Sequence, residues 1–257
     1  MSSTDIKDFS NLIINGIPCS MRFVEGGRMD VGEGKNKHSV TIPSFYMGQY
    51  QVTQSLYQAI METNPSRNKG ENRPVTNVNW DESRTFIDKL KGITGKEFRL
   101  PSESEWEYAA RGGLNSQKYE YCGSDDLKQV GWYRDNSGEE TKPVGLLLPN
   151  ELGLYDMSGN VDEWCEDDYH DNYKDAPKDG SAWIDGETDN SKNTTGIFNS
   201  IGNFFRDKSG ERATDRVVRG GNFLHIAGGC RPAYRDRTSP GSRDDFIGFR
   251  LVFSLQS

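Results

Sequence analysis

Apolar and polar residues alternate over residues 21–34 and again over 38–52, with β-branched or aromatic side chains at the apolar positions, so the spacing predicts two half-buried strands. Thr53 then stands where a helix cap belongs, ahead of Leu56, Tyr57, Ile60 and Met61 on one face of a helix that ends before Pro65. Asn79-Trp80-Asp81-Glu82 has the form of a capping box, followed by Phe86, Ile87 and Leu90 at inward positions and by Gly92 as a stop. Ser102-Glu103-Ser104-Glu105 repeats the signature before Trp106, Tyr108, Ala109 and Ala110, and Gly112-Gly113 closes this third helix. Turn formers dominate from 114 to 211, and the polar stretch 175–211 reads as an inserted surface loop. Two more alternating runs, 216–221 and 248–254, predict closing strands. Residues 1–20 read as a polar arm and 21–257 as a single domain, for no repeat or linker interrupts them.

Composition sharpens this into a loop-rich α+β fold with an aromatic core. Hydrophobic residues make up 33% of the chain, with 28 Gly, 12 Phe, 11 Tyr and 5 Trp. Trp106, Tyr108 and Trp164 are the expected core aromatics. A formal charge of −8 argues against a nucleic-acid or anionic-lipid partner. No apolar run reaches the roughly 20 residues of a membrane span. The first residues carry neither a basic nor an apolar leader, so the default expectation is cytoplasmic, with surface display the alternative if the N-terminus was trimmed. Cys19, Cys122, Cys165 and Cys230 lack metal or disulfide spacing and read as buried small residues. The acidic run 166–171 reads as a solvated surface, because neighbouring residues in a strand point to opposite sides.

Particular runs carry a family likeness: PVTNVNWDES (74–83), FRLPSESEWEYAARGG (98–113), KPVG (142–145), PNELGLYDMSGNVDEWCEDDY (149–169), RVVRGGNF (216–223) and GFRLV (248–252). Together they resemble the formylglycine-generating enzymes, or sulfatase-modifying factors, which implies a C-type-lectin-like fold with little regular secondary structure. The acidic loop 156–163 alternates side-chain oxygens with a glycine, a mixture that suits a hard cation. The resemblance implies a structural Ca²⁺ there, held by the Asp156 side chain, the carbonyls of Gly159 and Val161, and the Glu163 carboxylate. A second calcium site of the family would begin at Asn136 and Ser137, but the acidic segment that completes it is missing. The family's oxidation of a substrate cysteine implies two copper-binding thiolates after an RGG motif. Those positions hold His225 and Cys230 here, so no copper is expected and no catalytic residue is assigned. The enzymatic alternative is a metal-dependent oxidoreductase with altered chemistry at these two residues.

One compositional break points elsewhere. Lys, Glu, Gln, Met and Trp number 48 in residues 1–211, which would put about 10 in a 44-residue segment, yet residues 212–255 contain none. None of the five is encoded by an NNC codon. The restriction resembles the variable proteins of diversity-generating retroelements, bacterial or phage proteins in which a fixed C-type-lectin-like scaffold carries scattered randomised positions. Within a variable region of about 219–250, the likeness implies that Arg219, Gly220, Gly221, Cys230, Arg231, Ala233, Arg235, Pro240, Arg243, Gly248, Phe249 and Arg250 are scaffold. It places Phe223, Leu224, His225, Ile226, Gly228, Gly229, Asp236, Thr238, Ser242, Asp244, Asp245 and Phe246 on a contact surface for a protein or cell-surface ligand. Phe223, Leu224 and Phe246 among aspartates match the apolar-centre, polar-rim pattern of such a patch. A non-enzymatic, receptor-type function is therefore expected.

Overall fold

The computed structural model describes residues 12–185 and 214–255. Among these, the chain runs β1 (Ile13–Ile14), β2 (Ile17–Pro18), β3 (Met21–Val24), β4 (Gly27–Val31), β5 (His38–Ile42), β6 (Phe45–Gly48), α1 (Gln54–Met61), α2 (Trp80–Thr94), β7 (Phe98–Arg99), α3 (Glu103–Ala110), α4 (Leu127–Val130), β8 (Asp162–Asp168), β9 (Arg216–Arg219), β10 (Arg235–Thr238), β11 (Ile247–Phe249) and β12 (Val252–Ser254). One four-stranded sheet has the order β3-β6-β12-β7 and a second the order β10-β9-β8-β11, with β1-β2 and β4-β5 as separate hairpins. In the second sheet β8 and β11 are parallel and the other neighbours antiparallel. This is the loop-rich α+β architecture expected.

Each long alternating run is broken where the sheets demand it. Gly26, where a Cβ would sit 2.4 Å from the Ile42 carbonyl oxygen, stands between β3 and β4, which enter different sheets. Pro43, which has no N–H to give a ladder, separates β5 from β6. At the C-terminus Arg250 and Leu251 carry the chain from β11 in one sheet to β12 in the other.

The caps hold as expected because they are local. The Thr53 hydroxyl accepts from Leu56 N, and both capping boxes, Asn79/Glu82 and Ser102/Glu105, are complete. Helix α2 passes through Gly92 and ends instead at Gly95, whose φ of +65° suits the left-handed cap. An interior glycine costs about 1 kcal/mol relative to alanine, which burial of Phe86, Ile87 and Leu90 outweighs. Tyr57 stacks on Phe86 at 5.4 Å and Phe249 meets Phe86 edge-on at 5.3 Å, fixing α1 and α2 against β11. Trp106, Tyr108 and Trp164 lie in the core, and all four cysteines are buried and free.

Two surface expectations are corrected. Asp167 and Asp168 are buried: Asp167 accepts the Glu103 and Trp183 N–H groups, and Asp168 pairs with Arg216 at 3.0 Å, so this end of β8 is covered on both sides. The first part of the 175–211 stretch packs against the body, with Gly180 O accepting from Ser102 Oγ and Trp183 O accepting from Asp168 N. Residues 186–211 of that stretch lie outside the described residues, as do 1–11 of the arm.

Candidate functional site

The C-terminal segment leaves the core at the end of β9 through two glycines that no other residue replaces without strain. Gly220 (φ +99°) lies so close to Trp106 that a Cβ would sit 3.1 Å from the indole, and one on Gly221 (φ +72°) would fall 2.4 Å from Gly229 O. Asn222 then turns the chain, donating to Asp162 Oδ2 at 2.5 Å and accepting from Leu224 N at 2.8 Å. A 3₁₀ turn, Ala227–Cys230, leads back to Cys230, whose carbonyl accepts from Ser158 Oγ at 2.8 Å. The return limb is held from beneath by Arg219, which donates to Pro232 O at 2.7 Å and Tyr234 O at 2.9 Å. Strand β10 pairs with β9, and the next loop is pinned to the entrance of α2 by Asn77 N to Asp244 O (2.9 Å) and Trp80 N to Pro240 O (3.0 Å).

These loops border a cleft of about 570 Å³ lined by Phe223, Leu224, Asp244, Asp245 and Phe246 together with Arg67, Asn68, Asn77, Glu139 and Arg243. Five of the sequence-derived contact positions thus share one cavity. Arg67 reaches Asp245 at 3.3 Å and Arg243 holds Glu82 through two bonds of 3.0 Å. Arg67, Asn68, Asn77 and Glu139 lie outside the segment that the composition singled out, and of the four Asn77 alone falls in a family-like run, PVTNVNWDES. Leu224 and Ile226 are 43% and 55% exposed, Gly228 is exposed, and His225, Asp236, Thr238 and Ser242 are partly exposed.

Two placements differ from expectation. Phe223 is buried, because Asn160 O accepts its N–H and Ser137 Oγ donates to its carbonyl, drawing the ring into the floor of the cleft. Gly229 is buried against Gly221. Arg231 and Arg243, expected as fixed scaffold positions, lie at the surface and are tied by ion pairs to Glu120 and Glu82.

His225 and Cys230 lie under the same loops. The His225 ring meets Tyr234 edge-on at 5.7 Å, and its Nδ1 is buried with no partner. Burial pushes the Cys230 thiol up to about 12, with Asp162 and Cys122 nearby adding to the shift. With His225 at one of the two motif positions, only Cys230 supplies sulfur, and the pair does not fit a two-thiolate copper centre.

The four expected calcium-loop residues do come together, around the Gln51 side chain. Gln51 Nε2 lies 3.3 Å from Asp156 O, 3.5 Å from Gly159 O, 3.2 Å from Val161 O and 3.0 Å from Glu163 Oε1. Glu163 is further saturated by two bonds from Arg250 and one from Trp106 Nε1, and the Asp156 carboxylate accepts from Gly145 N at 2.8 Å. A hydrogen-bond donor holds the centre, so this set does not fit Ca²⁺. Asn136 is spent in a turn between Tyr133 N and Gly131 O. Among the described residues no cluster of three or more His, Cys, Asp or Glu side chains is arranged to hold a metal ion, and no helix is long and apolar enough to cross a membrane.

A C-type-lectin-like scaffold with an RGG turn beneath a C-terminal loop cleft defines the class. The chain belongs to the family of sulfatase-modifying factor enzyme 1-like domains, whose model matches residues 17–255. It is 36% identical over 195 residues to the chaperone protein LppX of Paenibacillus barcinonensis, covering 55% of this chain and 69% of that one. It is 32% identical over 202 residues to the formylglycine-generating enzyme of Thermomonospora curvata, covering 70% of this chain and 55% of the enzyme, so it spans little more than half the enzyme's length. Among solved structures, Treponema denticola variable protein 1 matches with a TM-score of 0.77 and 26% identity, over 95% of this chain and 98% of that one.

Proposed function

We propose that this protein is a non-enzymatic, receptor-type binder whose C-terminal loops hold a protein or cell-surface ligand, on a scaffold that does not carry out the family's oxidation. One observation carries the reading. Within 219–250 the side chains at Leu224, Ile226, Asp244, Asp245 and Phe246 face a cleft or solvent, while Arg219, Gly220, Gly221, Gly248, Phe249 and Arg250 are locked in the core. A surface free to change without disturbing the core is what diversification needs. The absence of Lys, Glu, Gln, Met and Trp from 212–255 supports it, as does the likeness to a protein named as variable. Exposed Leu224 and Ile226 supply apolar anchors, with Asp244 and Asp245 at the rim.

Oxidation is disfavoured by the same loops, since Cys230 is enclosed and its neighbour in the motif is an imidazole. Sequencing the flanking DNA tests the diversified reading. The expected result is a near-copy of the 219–250 coding segment, differing at template adenines and accompanied by a reverse transcriptase gene; finding neither ends that reading.

A further inference from the structure

The orientation of the Gln51 carboxamide decides what holds the loop 156–163, and a chain of contacts settles it. Asn160 is clamped by the backbone of Lys142, whose N–H donates to Asn160 Oδ1 at 2.9 Å and whose carbonyl accepts from Asn160 Nδ2 at 3.1 Å. Its amide therefore has one orientation, which presents Nδ2 to Gln51 at 3.1 Å. The atom of Gln51 that faces Asn160 must be the acceptor, Oε1, and Nε2 must face the four oxygens of the cage. Were the amide reversed, two donors would confront each other at Asn160 and a fifth oxygen would enter the cage.

The distances agree with that orientation. Glu163 Oε1 at 3.0 Å and Val161 O at 3.2 Å stand at ordinary hydrogen-bond separations and match the two N–H groups of the carboxamide, with Asp156 O at 3.3 Å and Gly159 O at 3.5 Å as longer contacts, whereas Ca²⁺ draws its oxygens to about 2.3–2.6 Å and takes six to eight of them. The carboxylate in the cage is already matched by the buried Arg250 guanidinium at 2.8 Å. We propose that the Gln51 carboxamide takes the place of a cation in this loop, ordering it by hydrogen bonds so that the loop is metal-independent. The consequence reaches the binding face, because Gly159 N donates to Gly220 O at 2.8 Å and Asn160 O accepts from Phe223 N at 3.0 Å. The floor of the cleft then keeps its shape whatever the calcium concentration.

Thermal unfolding in millimolar calcium and in EGTA, with terbium(III) luminescence sensitised by Trp106 as a second readout, tests this. Trp106 is well placed as the antenna, since its Nε1 donates to Glu163 at 2.8 Å. Equal midpoints and no saturable luminescence are expected. A midpoint that falls in EGTA, or saturable terbium binding lost on Glu163→Gln substitution, overturns the proposal. Gln51→Ala is expected to lower the midpoint by roughly 5 °C, because buried acceptors lose their donor; an unchanged midpoint also overturns it. If that variant does not fold, the wild-type comparison alone decides.

Discussion

Arg219 Nη2 donates to Glu107 Oε2 across 2.6 Å, and neither side chain has any exposed surface. The pair joins α3 to the first residue of the RGG turn, and the Arg219 Nη atoms also donate to the carbonyls of Pro232 and Tyr234. The loops that border the cleft therefore hang from a charge buried in the core. Breaking such a pair leaves an uncompensated charge and typically costs about 3–5 kcal/mol. Arg219→Met should lower the unfolding free energy by that much, whereas Arg243→Ala, at a half-exposed ion pair, should cost at most about 1 kcal/mol. Urea unfolding of the two variants distinguishes them.

The cleft separates binding from stability. Leu224→Asp and Ile226→Asp alter exposed positions and should change folding stability by no more than about 0.5 kcal/mol, while abolishing capture of the ligand. Phe223→Ala, in the floor, should destabilise by roughly 3 kcal/mol or more. Circular-dichroism melts beside a binding assay on the same preparations give both numbers.

Asp167 supplies a pH dependence whose sign is fixed. Burial, with the charges of Glu103 and Glu105, pushes its carboxyl up to about 8 despite the Trp183 and Glu103 N–H donors. The folded protein therefore holds a proton that the unfolded chain gives up near pH 4. Its stabilising contribution is complete below about pH 4 and is lost as the pH rises toward about 8. Asp167→Asn should flatten this slope and lower stability throughout, since an amide accepts at one oxygen while both Asp167 oxygens accept backbone N–H groups. Urea midpoints measured from pH 5 to 8 test both effects.

Loaded with copper(I) and offered a cysteine peptide, the protein should yield no aldehyde by mass spectrometry. His225→Cys should not restore activity by itself, because the Cys230 thiol stays enclosed.

What could be read from the sequence was largely local. Capping boxes at Asn79 and Ser102 span four residues each and were legible, as was the RGG turn. The division of residues 21–34 between two sheets was not, because it depends on the distant Ile42 carbonyl against Gly26. The loop 156–163 shows the same limit: the four residues expected to hold a cation converge, yet the group at their centre comes from Gln51, more than a hundred residues earlier. Phe223 looked exposed for want of any local sign that Ser137 and Asn160 would draw it in.

Comparing codons 212–255 across isolates measures most directly whether the loops are a diversified surface. Substitutions are expected to cluster at Leu224, His225, Ile226, Asp236, Asp244 and Asp245, to leave Arg219, Gly220, Gly221 and Arg250 constant, and not to introduce Lys, Glu, Gln, Met or Trp. Changes spread evenly over the whole chain, or entering the buried glycines as often as the cleft, would contradict it.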